Sequence, residues 1–369
     1  MSDLQTNTIH TGDCFDVLPT LPDESVHMVM TSPPYWNLRD YDHTDQLGLE
    51  PESDQYVQNM ADVFDEVKRV LRPDGSLWLN LGDTYDDKDL QQIPARVALE
   101  LQQRGWIFRN RVTWAKPNPM PQSVKDRLND TTEAVFHFVK NKSYWYDLDA
   151  IREPHKDVSM ERIKSGLHQK HPEDSGVAVS KTETDEMGER FCNPAGKNPG
   201  DVFEVTTKPF PEAHFAVYPP ELCEKPIKAT CPAKVCAECG TGYERDVEVG
   251  EHRGRVEKTE IDGLSATKND SETWSGRIGE GRERELKGWT PTCDCDTDAT
   301  EAGIALDPFA GAGTTLLKAK ELGRKFVGIE LNTKYADMAR ARVGIDVKDP
   351  SNIRDGDGQS GLEAFEVGQ

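Results

Sequence analysis

The chain has 369 residues, with 66 Asp+Glu against 44 Lys+Arg, a formal charge of −22 and a pI of about 4.9. Apolar residues make up 36% and the mean hydropathy is −0.70, below the roughly 45–50% apolar content of ordinary domains. No apolar run approaches the roughly 18 residues that span a bilayer, and the polar start Met1–Asn7 carries no secretory pattern, so a cytoplasmic protein is expected. So large an acid excess argues, at the level of the whole chain, against an anionic partner such as nucleic acid. Abundant surface carboxylates also suit work in strong salt, and a halophilic origin is expected, with an ordinary acidic enzyme as the plain alternative.

The first third reads as α/β. Thr8–His10 and Val26–Met30 are apolar strand candidates, the second stopped by Thr31-Ser32-Pro33-Pro34-Tyr35-Trp36. Between Tyr56 and Leu71, Val57, Met60, Val63, Phe64, Val67, Val70 and Leu71 share one face of a helix. Pro73-Asp74-Gly75 is a turn before the strand Ser76–Leu81. Leu90–Gln103 reads as helix, and Trp106–Trp114 and Thr132–Lys140 as strands. From Ile151 to Val202 large apolar residues thin out, as in long loops or an insertion. A second polar insertion, 231–300, is bracketed by cysteines. Order returns with the strand Gly303–Leu306, the helix Thr314–Leu322, the strand Lys325–Ile329 and the helix Thr333–Val343, before an acidic tail.

Two motifs carry chemistry. Asp307-Pro308-Phe309-Ala310-Gly311-Ala312-Gly313-Thr314-Thr315 follows a strand and opens a helix; its glycines let the backbone turn sharply and approach a ligand. Glu330 ends the next strand, where an acid can accept hydrogen bonds from ribose hydroxyls. A triphosphate loop would need Gly-Lys-Ser/Thr, but Thr314 follows Gly313, and the full dinucleotide pattern fails at Leu316. The double-proline turn leaves a strand at its carboxyl end, the edge where ligands bind in doubly wound sheets. Ser32 and the Pro33 carbonyl there can accept the hydrogens of an amino group on a flat ring, while Tyr35, helped by Trp36, stacks on it.

These motifs resemble those of the β-class, amino-group DNA methyltransferases that use S-adenosylmethionine. Ser32-Pro33-Pro34-Tyr35 is similar to their catalytic tetrapeptide and Asp307–Thr315 to their cofactor loop, in the permuted order of that class. Gly12-Asp13, Arg69–Gly75, Trp114–Asn118 and His214–Pro219 add to the resemblance, which covers about residues 8–149, 209–228 and 303–345. It implies a doubly wound, mostly parallel, Rossmann-like sheet that methylates a flipped-out base in double-stranded DNA. It also implies Ser32, Pro33, Pro34 and Tyr35 as catalytic residues. Asp13, Ser32, Phe215, Asp307, Pro308, Phe309, Gly311, Gly313, Thr314 and Glu330 are implied to bind the cofactor, although Asp13 also reads as a plain turn residue. Ser at the first position of the tetrapeptide favours cytosine N4 over adenine N6. None of the eight cysteines follows a proline, against a carbon-5 mechanism. A cognate restriction endonuclease is an expected partner. Transfer to RNA or protein glutamine, and a non-catalytic zinc-containing DNA-binding protein, are the alternatives.

The expected organisation is a catalytic-side half (1–150), a target-recognition insertion (151–205), a cofactor-closing segment (206–230), a zinc-binding insertion (231–300), a cofactor-binding half (301–345) and a flexible tail (346–369). Cys236, Cys239, Cys293 and Cys295 form two close pairs able to ligate structural zinc, with Cys231 in reserve; Cys14, Cys192 and Cys223 read as packing residues. Residues 104–127 carry six basic residues against Asp126, a local charge of +5 amid aromatics. Arg109, Arg111, Lys116, Lys125 and Arg127 are the candidate DNA contacts, with a solvated strand face as the plain alternative.

Overall fold

A computed structural model describes residues 4–39, 46–154, 196–208, 217–249 and 284–349. The chain divides into two compact units, one of 1–146, 200–243 and 291–369, the other of 147–199 and 244–290.

In the larger unit the elements run in chain order as β1 (Thr8–Thr11), α1 (Cys14–Val17), β2 (Val26–Thr31), α2 (Ser53–Val70), β3 (Leu71–Leu81), the short pair β4 (Tyr85–Asp86) and β5 (Asp89–Leu90), α3 (Ile93–Gln103), β6 (Ile107–Ala115), β7 (Thr132–Val139), β8 (Val202–Glu204), α4 (Pro220–Thr230) and β9 (Val235–Cys236). After β10 (Glu244–Val249) and β11 (Arg284–Thr290) of the smaller unit come β12 (Thr300–Glu301), β13 (Ile304–Asp307), α5 (Thr314–Glu321), β14 (Lys325–Glu330) and α6 (Thr333–Val343). Eight strands form one sheet in the order β1-β14-β13-β2-β3-β7-β6-β8. Only β7 runs against its neighbours; the other pairings are parallel. Chain direction sends β13 on to β14 at one side and β2 on to β3 at the other. The β13/β2 junction is therefore the point where winding reverses, and ligands collect outside the carboxyl ends of such strands.

Apolar alternation along the central strands builds a core on each face. Val29, Leu77 and Leu79 pack against Tyr56, Phe64 and Val67 of α2 and Val97 and Leu101 of α3. Met28, Met30 and Trp78 face Leu222 and Ile227 of α4, Leu316 of α5 and Ala336 and Val343 of α6. Continuous burial of all six β2 residues is what a central parallel strand covered on both faces requires.

Two expected boundaries move. Pro73-Asp74-Gly75 lies inside β3, where pairing with β2 jumps from Val26↔Leu71 to Met28↔Ser76. Five steps on β3 oppose two on β2, so the turn survives as a bulge within the strand. The third helix begins at Ile93 rather than Leu90, because Pro94 suits the first turn and Leu90 pairs with Tyr85 in a two-residue ribbon. The helix α4, with Pro226 inside it, was not foreseen; its buried Leu222, Cys223, Ile227 and Thr230 hold it to the sheet, and Trp78 Nε1 donates to Thr230 Oγ1 at 3.0 Å.

The smaller unit contains the antiparallel ribbon β10–β11, bulged between Asp246 and Val247. Arg245 lies over the Trp289 ring at 4.8 Å and donates to Asp147 Oδ2. Glu153 and Lys197 form a backbone bridge and an ion pair at 2.9 Å. Most of the expected recognition insertion, with Cys192, and the tail beyond 349 lie outside the described residues.

Candidate active site

The two motifs meet at the winding reversal. Thr31, the last residue of β2, donates its hydroxyl to Asp307 Oδ1 at 2.7 Å, joining the prolyl turn to the glycine loop through buried groups. Asp307 is 0% exposed and also accepts from the Phe309 amide at 3.1 Å and the Tyr218 hydroxyl at 3.3 Å. Thr315 Oγ1 bonds to Tyr218 Oη and donates to the Met30 carbonyl at 3.0 Å, tying α5, the segment leading into α4 and β2 into one corner. Burial raises the Asp307 carboxyl to about 6.

The loop itself needs its glycines. Gly311 (φ 52°) and Gly313 (φ 75°) are left-handed, and a Cβ on Gly313 would lie 3.0 Å from Ala339 Cβ of α6. Glu330 fixes the loop from the next strand: Oε2 accepts from the Gly311 amide at 2.8 Å and Oε1 from the Asn332 amide at 2.9 Å. Burial pushes its carboxyl to about 7. Pairing of Thr11 with Glu330, with the Gly12 amide on the Glu330 carbonyl at 2.9 Å, brings the start of α1 to the same edge. Asp13 caps α1, accepting from the Phe15 amide at 2.9 Å, so its plain turn role is visible. Pro308 lies in the same loop and Thr314 opens α5, its hydroxyl receiving Arg342 Nη1 at 2.9 Å. Phe215 is outside the described residues.

Around the prolyl turn an unforeseen polar network appears. Tyr35 Oη donates to Glu133 Oε2 at 2.8 Å and lies 3.1 Å from Ser32 Oγ. Asn80 Nδ2 reaches Tyr35 Oη at 2.7 Å, Glu133 Oε2 at 2.8 Å and Ser32 Oγ at 3.2 Å. Glu133 can only accept there, which sets the amide orientation, and Asn80 Oδ1 is buried with no partner among the described residues. Lys116 ion-pairs with the other Glu133 oxygen. The Tyr35 ring lies where a Cβ on Gly82 would come within 2.5 Å; burial and Glu133 push its phenol well above the usual value, so the hydroxyl stays a donor. Tyr56 Oη holds the Pro34 carbonyl at 2.8 Å. Trp36 corrects the expectation of a stacking partner: it is 6% exposed and donates to the Glu50 carbonyl, anchoring the turn in the core. Asn80 and Glu133 were missed because a polar residue inside an apolar strand pattern reads as interruption. Asn80 near the end of β3 and Glu133 at the start of the antiparallel β7 both lie at the edge beside Ser32, and that placement is the signal that could have found them.

The basic cluster does not act as one face. Arg104 ends α3 and binds Asp62, Asp65 and Glu100. Arg109 donates to Tyr144 Oη at 3.0 Å, beyond the far end of β7. Lys116 serves Glu133 and lies over the Trp114 ring at 4.7 Å. Arg127 sits over the Tyr85 ring at 4.1 Å and pairs with Asp130. Arg111 and Lys125 are exposed.

The four expected metal ligands do converge: Cys236, Cys239, Cys293 and Cys295 place their sulfurs within 4.8 Å of one another. Cys231 stays apart, buried with its carbonyl on Arg324. Cys14 and Cys223 are buried, as packing residues are.

The family described as DNA methylase, of N6/N4 methyltransferases, matches residues 26–234 and 298–341. The stretch left between those segments holds all four clustered cysteines. Among curated relatives, the type II methyltransferase M.SfiI of Streptomyces fimbriatus is 32% identical, with 89% of this chain and 88% of the relative aligned. The type II methyltransferase M.XycI of Xanthomonas campestris pv. cyanopsidis is 31% identical over 92% of this chain and 88% of its own. In fold the chain is similar to the solved PvuII DNA methyltransferase, titled cytosine-N4-specific, with a TM-score of 0.54 and 16% identity over 94% of this chain and 88% of that one. Family match and full-length relatives agree with the joined motifs at the β2/β13 edge, and the chain belongs to the DNA methylase family of N6/N4 methyltransferases.

Proposed function

We propose that this protein is a site-specific DNA methyltransferase that methylates the exocyclic N4 of cytosine in duplex DNA, as the modification partner of a restriction endonuclease. The observation that carries it is the buried Thr31–Asp307 hydrogen bond, which joins the loop suited to a nucleoside cofactor to the turn suited to an amino group. S-Adenosylmethionine fits the residues present. Among the described residues neither Asp307, fully buried, nor Glu330, half-buried, forms an ion pair with a basic side chain. A ligand bearing sulfonium and ammonium charge supplies what they lack. When bound, it provides an electrophilic methyl group.

In this reading Asp307 and the Phe309–Gly313 loop hold the methionine end, and Glu330 and Asp13 the ribose and adenine side. Ser32 Oγ and the Pro33 carbonyl accept the amino hydrogens of the flipped base, which turns the nitrogen lone pair out of conjugation as charge develops. Asn80 and Glu133 fix Ser32 and Tyr35 in place before the base arrives, and Tyr35 replaces the stacking lost on flipping. Ser32, in place of an acidic first residue in the tetrapeptide, favours cytosine. Expression in a methylation-free host followed by nucleoside analysis of its DNA should yield N4-methylcytosine; N6-methyladenine as the sole product would overturn the assigned base. No methylated product, together with no S-adenosylmethionine binding by calorimetry, would overturn the enzyme.

A further inference from the structure

The cysteine cluster is built from a preformed turn. Gly240 (φ 73°) donates to the Cys236 carbonyl at 2.8 Å, and the Cys236 amide to the Thr241 carbonyl at 2.9 Å. This tight turn aims the Cys236 and Cys239 sulfurs the same way. The second pair reaches them through backbone and side-chain bonds: the Ala237 amide to the Ala299 carbonyl at 2.9 Å, and Thr292 Oγ1 to the Gly242 carbonyl at 2.8 Å. All four cysteines are free thiols. In tetrahedral tetrathiolate zinc, with metal–sulfur bonds of about 2.3 Å, the sulfurs stand roughly 3.8 Å apart. That spacing is inside the 4.8 Å limit within which these four already lie.

The segment carrying the second pair gives a reason for a cross-link. From Pro291 to Thr300 no residue is buried, and only Cys293, Cys295 and Thr297 are even half-covered. Ten residues with no apolar anchor do not order themselves against chain entropy; a metal ion tying them to the Cys236–Cys239 turn does so directly.

What the turn grips is the amino end of the catalytic strands. His27 of β2 bonds through Nε2 to the Gly240 carbonyl at 2.9 Å and accepts the Ile304 amide on Nδ1 at 3.0 Å. Ile304 is the first residue of β13. Arg72, in the β3 bulge, donates to the Cys239 carbonyl at 3.0 Å and pairs with Asp74. A Cβ on Gly240 would sit 2.8 Å from Arg72 Nη1, so turn and bulge are in close contact. At their opposite ends β13 finishes on Asp307 and β2 leads directly into Ser32.

We propose that Cys236, Cys239, Cys293 and Cys295 bind one structural zinc ion, and that the zinc-held turn clamps β2, β3 and β13 in register through His27 and Arg72. The proposal stands whichever base is methylated. The full-length protein, purified without chelator, should contain one zinc per chain by elemental analysis. Cobalt exchange should give the intense thiolate-to-cobalt bands of a tetrahedral tetrathiolate. Titration of the intact protein with a mercurial reagent should release that zinc in step with four thiols, which keeps the test independent of whether a Cys293→Ser chain folds. Four reactive thiols without metal, two disulfides by mass spectrometry, or bound iron in place of zinc would each overturn the site. Zinc removal should also speed amide exchange at Ile304 and along Val26–Thr31 by about tenfold or more; unchanged exchange there would overturn the clamp.

Discussion

Glu133 shows how one side chain can organise a site from outside the recognisable motif. It binds Tyr35 and Asn80 with one oxygen and Lys116 with the other, so its charge fixes three residues around Ser32. Glu133→Gln keeps the shape but removes the charge and sets an amide NH2 against either Lys116 or the Tyr35 and Asn80 donors. The expected result is a fall in kcat of about a hundredfold, the usual effect of small misplacement, with KM for the cofactor unchanged; steady-state kinetics in both substrates measure the split. Asp307 and Glu330 predict a pH effect. Their folded-state values, about 6 and about 7, lie above the ordinary carboxylate range. The raised values favour the folded state when protonated, and that contribution is lost as pH rises through 6 to 7. A cationic cofactor favours the ionised carboxylates, so its thermal stabilisation of the protein should be larger at pH 8 than at pH 5.5 by calorimetric melting. An equal increment at both would remove these carboxylates from the binding site.

Among elements, α6 is held by an ion pair rather than by apolar packing alone. Arg340 donates to Asp337 at 2.7 Å, to the Ile9 carbonyl at 2.6 Å and to Thr11 Oγ1 at 2.7 Å, with side chains 3% and 0% exposed. Asp337 also accepts the Lys348 and Asp349 amides. Arg340→Ala strips β1 of its tie to α6 and leaves Asp337 buried beside fewer donors. A loss of about 3–5 kcal/mol is expected, read by urea denaturation; a loss below about 1 kcal/mol would mean the pair behaves as an exposed one. The helices themselves were legible wherever apolar residues recurred on one face, as in α2 and α6. Pro226 hid α4, because a proline ordinarily ends a helix and only packing against β2 and β3 shows that this one is tolerated.

For the molecule as a whole, the charge of −22 and the local excess of +5 both need the structure to be interpreted. Arg104, Lys116 and Arg127 are engaged by acids within the fold, whereas Arg111 and Lys125 are exposed. Changing Arg111 or Lys125 to Ala should each lower the slope of log affinity against log salt by about one, the signature of one phosphate contact. Anisotropy titrations over a range of salt measure it, and an unchanged slope would take that residue off the DNA. A protein whose acidic exterior is adapted to salt should also work best above about 0.1 M, where charge repulsion is screened; an optimum in dilute buffer would end the halophilic reading.

Chemistry confined to neighbours in the chain was determined by the sequence alone. The prolyl tetrapeptide, the glycine loop, the acid closing the next strand and the paired cysteines are each set by a few consecutive residues, whose conformations depend on local sterics. Relations between distant residues were decided only by the tertiary structure. Thr31 finds Asp307 because β2 and β13 are neighbours in a sheet whose order differs from chain order. Glu133 enters the site because β7 alone runs backwards, bringing its first residues to the edge where the other strands end. Lys116 and Arg104 leave the basic cluster because partners far along the chain claim them. Local sterics propagate only a few residues, whereas burial and charge pairing act through space, so which residues surround Ser32 became knowable only once the strands were in order.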